Sequence, residues 1–150
     1  MDAPVTVEQV LVPVDGSDES ALAVEYAVAI AEQYDADVHA VYVFGEQISR
    51  AIETGAIDED EVARETESYL DEIAAIADAH DVSLSSATAY GFSTHRKAQH
   101  PGSVVLDCAE EVGADFLVVP REPQTGVPGE VLEKAAEYVL LYATQPVLSV

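Results

Sequence analysis

Short apolar runs alternating with helically spaced stretches constrain this chain more than any other feature. The first run is Val10-Leu11-Val12-Pro13-Val14, and it stops at the turn residues Asp15-Gly16-Ser17. It is apolar at consecutive rather than alternate positions, the pattern of a strand covered on both faces of a parallel sheet. Val38 to Phe44 and Phe116-Leu117-Val118-Val119 read the same way. Val82 to Tyr90 is a weaker strand, rich in Ser, Thr and Ala, which suits a sheet edge, and Pro146 to Val150 closes the chain as a strand.

Helical spacing fills the gaps. Ser17 is placed to cap a helix, with Asp18 and Glu19 at its positive end, and the helix runs to about Tyr34 with Leu22, Tyr26 and Ile30 on one face. Glu46 to Ala56 reads as a connection with room for a helical turn. Asp58-Glu59-Asp60-Glu61 opens a helix in which Val62, Tyr69, Ile73 and Ile76 keep the period up to His80. Gly91 to Gly102 reads as a long loop; Val105, Cys108 and Val112 then mark a helix closed by Gly113. Pro120 to Gly129 reads as a loop, and Val131, Ala135, Tyr138 and Tyr142 carry the last helix. The order β-α-β-α-β-α-β-α-β predicts one doubly wound α/β domain over residues 1–150: a five-stranded parallel, Rossmann-like sheet with helices on both faces. Its ligand crevice is expected beyond the carboxyl ends of the strands, at Asp15, Phe44 and the 91–102 and 120–129 loops.

Composition narrows the partners. The chain carries 29 acids against 6 Lys plus Arg, a net charge of −23. The acids are spread along the helices rather than gathered in a tail, which reads as a solvated acidic surface of the kind suited to high salt, and a basic partner is the other use. Nucleic acid needs many clustered cations and is not expected as a partner. No apolar run reaches the ~18 residues of a membrane span, and no cationic leader precedes one, so membrane insertion is not expected and the cytoplasm is the default setting. The single cysteine, Cys108, excludes an internal disulfide and reads as a core thiol.

At Val12-Pro13-Val14-Asp15-Gly16-Ser17 the chain resembles the universal stress protein family. The likeness continues through Glu110-Glu111-Val112-Gly113-Ala114-Asp115 and Ala136-Glu137-Tyr138-Val139-Leu140 to Pro146-Val147-Leu148. The resemblance implies a sheet ordered 3-2-1-4-5 and a homodimer paired through the last strand, here Val147, Leu148, Ser149 and Val150. One branch of the family binds ATP. It implies that Asp15 contacts a ribose while Pro13 and Val43 frame an adenine, and that the phosphates lie against a glycine run leading into the last helix. In this chain the glycine places of that run fall on Pro120, Pro123 and Glu133, and the hydroxyl place on Lys134. Proline removes an N–H that a phosphate would use, and Glu133 sets a carboxylate against a polyanion. The family's usual ATP grip is therefore not expected, although Gly126 and Gly129 lie inside the same loop.

Two functions follow. One is a stress-response binding or regulatory module with no obligatory cofactor that does not hold ATP in the family's mode. The other keeps ATP, AMP or another small anion, using Asp15 and a basic grip from Arg96, Lys97 and Arg121, with slow hydrolysis open to it. The same basic residues also suit simple surface ion pairing. Asp15 equally suits closing the turn into the first helix, and both uses can coexist. His95 and His100 lack an evident partner for a metal, His39 reads as a satisfied strand side chain, and Lys134 pairs most easily with Glu130 or Glu137. No nucleophile, base and stabiliser grouping is legible, which points away from an enzyme. A phosphoacceptor domain is excluded because Tyr90-Gly91 ends the third strand without an Asp and the fifth strand ends the chain.

Overall fold

The computed structural model describes residues 6–90, 101–120 and 130–150. In chain order the described elements are β1 (Gln9–Val14), α1 (Asp18–Tyr34), β2 (Asp37–Phe44), α2 (Glu46–Glu53), α3 (Glu59–Ala79), β3 (Leu84–Tyr90), α4 (Pro101–Val112), β4 (Phe116–Val119), α5 (Glu130–Tyr142) and β5 (Val147–Ser149). All strand pairs are parallel, and the sheet order is β3-β2-β1-β4-β5.

Period-two alternation sends the strands' side chains to two cores. Val10, Val12, Val14, Val38, Ala40 and Val118 face α1 and α3. Leu11, Val41, Val43, Leu117 and Val119 face α4 and α5. Consecutive apolar residues in β1, β2 and β4 are thus the expected consequence of covering a parallel sheet on both sides.

Local chemistry fixes the element ends. Ser17 caps α1, its Oγ accepting from the Ser20 N–H at 3.1 Å, and Asp35 ends the helix in the left-handed region at φ 56°. Asp58 caps α3 by accepting from the Asp60 N–H at 3.0 Å. Gly113, at φ 68°, closes α4: its N–H reaches the Glu110 carbonyl and the Ala114 N–H reaches that of Ala109, the paired bonds of a Schellman stop. The adjoining Asp115 carboxylate accepts from the Glu8 and Gln9 N–H groups at 3.0–3.1 Å, pinning the start of β1 to that of β4.

Three expectations change. Leu22 and Tyr26 do not define the core face of α1; they are 48% and 46% exposed, and the buried face is Ser20, Ala23, Val24, Ala27, Val28 and Ala31. Small residues let the helix lie close to the sheet, which turns its large apolar side chains to the flank. Glu46–Glu53 is a helix of 8 residues, longer than the single turn allowed for. Pro101 and Gly102, read as the end of a loop, are instead the buried first residues of α4. Proline suits a first helical position, and any β-carbon at Gly102 would collide with the Tyr138 side chain of α5.

Candidate functional site

The carboxyl edge of the sheet opens at Pro13. Along β1, Glu8 bonds toward β2 and Gln9 toward β4, so the odd-numbered backbone positions face β4. Pairing with β4 ends at Leu11, opposite Leu117. Pro13, the next position facing β4, has no N–H to extend the ladder. β1 and β4 therefore part where the strand order reverses, the place where open α/β sheets form their crevices.

Asp15 follows directly. Its Oδ1 accepts from the Ser17 N–H at 3.0 Å, closing the turn into α1. Its Oδ2 is buried and has no partner among the described residues. Burial pushes the carboxyl above the ordinary aspartate range, against the hydrogen bonds from Ser17 and Ser20 that favour the charged form. Gly16 carries the turn at φ 87°, and a β-carbon there would stand 2.6 Å from the Tyr42 hydroxyl.

The turn is held from the α1/α3 side. The Tyr42 hydroxyl donates to the Asp15 carbonyl at 3.2 Å. The Tyr69 hydroxyl lies 3.2 Å from the Ser17 carbonyl and 2.5 Å from Ser20 Oγ. Ser20 Oγ in turn donates to the Ser17 carbonyl at 2.9 Å and accepts from the Asp15 N–H at 3.3 Å. The two phenol rings meet edge to face, with centroids 5.8 Å apart, and Phe44 lies 4.9 Å from Tyr42. Burial raises both phenols above their ordinary range, Tyr69 furthest. Both keep their protons and act as donors.

Among the sequence-predicted residues, Pro13, Asp15 and Val43 lie at or just beyond the carboxyl ends of the adjacent strands β1 and β2. Pro13 and Val43 are both buried, at odd positions of paired strands, and Val43 packs on the α4/α5 face. Pro120 is buried at the end of β4. Arg96, Lys97, Arg121, Gly126, Gly129, Pro123, His95 and His100 lie outside the described residues, as do the side chains of Glu133 and Lys134. His39 is buried, with Nδ1 2.7 Å from Ser85 Oγ, and burial lowers its pKa. Cys108 is half-buried and its thiol is pushed up by burial, so it is not activated. Val147, Leu148, Ser149 and Val150 form or follow the β5 edge strand, all of them partly exposed. Sequence reasoning missed the hydroxyls of Tyr42 and Tyr69 as supports of the turn. A tyrosine inside an apolar strand run was the available signal, since a buried phenol needs a partner.

A five-stranded parallel sheet whose order reverses between β1 and β4, with helices on both faces, defines a doubly wound, Rossmann-like α/β domain. Residues 6–150 match the model of the universal stress protein family, and the chain belongs to that family. It is 27% identical to a universal stress protein of Methanocaldococcus jannaschii, over 95% of this chain and 81% of that one. Among solved structures it resembles a universal stress protein in complex with cAMP, at 22% identity and a TM-score of 0.67, covering 97% of this chain and 98% of the other. It also resembles the universal stress protein of Archaeoglobus fulgidus in complex with dAMP, at 20% identity and a TM-score of 0.65, with the same two coverages. No helix among the described residues is long and apolar enough to cross a membrane.

Proposed function

We propose that this chain is a stress-response binding module that takes a nucleoside through Asp15 and does not seat a triphosphate in the family's glycine-loop manner. The carrying observation is the Asp15 carboxylate: Oδ1 is committed to the turn, while Oδ2 is buried with no described partner. A ribose hydroxyl donating to Oδ2 would relieve that unmet demand. Pro13 and Val43 supply apolar backing on the same side of the sheet. The two structural relatives hold nucleotides with a single phosphate, which need less of a grip than a triphosphate. Pro120 offers no N–H at the first glycine place, and Pro123 and Glu133 stand at the next two.

Asp15→Asn tests this. AMP affinity by titration calorimetry is expected to fall about tenfold, the loss of a hydrogen bond to a charged group. ATP with magnesium is expected to bind the parent chain no more tightly than AMP; tighter ATP binding overturns the reading. The same variant is expected to be more stable than the parent near neutral pH in the absence of ligand. A carboxyl whose folded-state pKa is raised favours folding only while protonated, and that contribution is lost as pH rises through the folded value. The difference in Tm between variant and parent should shrink as pH is lowered and the parent carboxyl takes up its proton.

The module works as a homodimer through β5. That strand is a sheet edge, with Val147 and Leu148 only partly covered, and Leu140, Leu141 and Tyr142 stand exposed at the end of α5. Pairing two copies about a two-fold axis covers both the backbone edge and the apolar side chains. Deleting Val147 to Val150 is expected to give monomer or aggregate by light scattering; an unchanged dimer overturns this assignment. The one thiol, Cys108, unpaired and half-buried, suits a reducing compartment such as the cytoplasm.

A further inference from the structure

We propose that Tyr42 and Tyr69 are positioning residues for the ligand-facing carboxylate, gripping the Asp15–Ser17 turn through its backbone so that Oδ2 is presented toward the crevice. This rests on the reading that Asp15 meets a ligand. The two phenols reach the turn from different elements. Tyr42, on β2, holds the Asp15 carbonyl at 3.2 Å; Tyr69, on α3, holds the Ser17 carbonyl at 3.2 Å and Ser20 Oγ at 2.5 Å. Together they hold the Asp15–Gly16 and Ser17–Asp18 peptides, one at each end of the turn. That glycine sits at a positive φ and lacks the side chain that would otherwise restrict it. The grip comes from the α1/α3 side, whereas Pro13 and Val43 lie toward the other face, so the phenols order the turn without occupying the crevice. The Tyr42 ring is itself braced by the rings of Tyr69 and Phe44. Helix α3 thus reaches the candidate ligand contact through hydroxyl chemistry rather than through apolar packing alone.

The test uses Tyr42→Phe and Tyr69→Phe, which keep the rings and delete the donors, each with and without Asp15→Asn. AMP is the probe, read by calorimetry, with amide hydrogen exchange measured on the ligand-free chain. Each phenol deletion is expected to weaken AMP about three- to tenfold, the range for one hydrogen bond. In the Asp15→Asn background each should change affinity by less than about twofold, because the support then acts on a group already removed. Ser17 and Ser20 amides, bonded to Asp15 Oδ1 and Ser17 Oγ, should exchange several-fold faster, while the Asp60 amide in the α3 cap keeps its rate. Equal weakening in both backgrounds, or unchanged exchange at Ser17 and Ser20 in both variants, overturns the proposal. If the parent chain does not bind AMP, the nucleoside reading fails, and the exchange measurement alone decides whether the phenols order the turn.

Discussion

Ile73→Ala is expected to destabilise the domain by about 2–5 kcal/mol, the usual cost of emptying a buried isoleucine site. Ile73 is fully buried and, with Ala77, forms the contact through which α3 closes over the sheet beside Val38, Ala40 and Val82. The other contacts of this helix are polar or only partly buried. Its outer surface carries Glu61, Glu65, Glu67, Asp71 and Glu72, all exposed, and acids four apart along a helix, as Glu61 with Glu65 and Glu67 with Asp71, repel one another. The remaining inward residues, Thr66, Tyr69, Leu70 and Ile76, are polar or only partly covered. A domain has a total stability of about 5–15 kcal/mol, so the loss is a large share of it. Urea denaturation checks the figure, with Ile73→Val as the control at about 0.5–1.5 kcal/mol. A cost below about 1 kcal/mol for the alanine variant would show that α3 is held by something other than this contact. Because α3 also carries Tyr69, the Ser17 and Ser20 amides should lose protection together with those of α3.

Raising KCl from about 10 mM to 1 M is expected to stabilise the chain by about 2–4 kcal/mol. Two acids 10 Å apart in water repel by about 0.4 kcal/mol. The Debye length of about 30 Å at 10 mM leaves that almost intact, and about 3 Å at 1 M removes it. With a net charge of −23, on the order of ten such pairs are brought closer by folding, and the unfolded chain retains part of the repulsion. The contact of His80 Nδ1 with Glu32 at 3.1 Å is exposed at both ends and offsets little. For a domain of this size Tm should rise by about 2–4 °C per kcal/mol. Potassium sulfate at equal ionic strength separates screening from strengthened apolar burial. A stability that is flat in KCl would sink the view that this surface is built for salt.

The frame of the molecule was legible where the physics is local and repetitive. Uniform apolarity in Val10–Val14, Val38–Phe44 and Phe116–Val119 reports burial on both faces, and the strands lie there. The Ser-rich third strand sits at the edge for the same reason. The large residues Leu22 and Tyr26 misled, because α1 packs through Ser20, Ala23, Val24, Ala27, Val28 and Ala31, a helically spaced face of smaller side chains that the bulkier ones outweigh in a reading by size. Pro101 and Gly102 look like loop residues until α5 is placed beside them. Within the site, Asp15 and the Ser17 cap were readable from turn chemistry. The phenol supports were not, because their bonds to the turn span 27 and 52 residues and no spacing rule links such positions.

The two margins of the sheet differ in character, and that limits how copies can join. Along β3, Ser85, Ser86, Ala87 and Thr88 are exposed and small or hydroxylated, a border that offers an incoming strand little to bury. β5 offers Val147 and Leu148. A molecule inviting at both margins would add neighbours without end and grow as a ribbon. With one reluctant margin, the dimer proposed through β5 would end at two copies, because the serine-rich strand would give a third copy little to pair with.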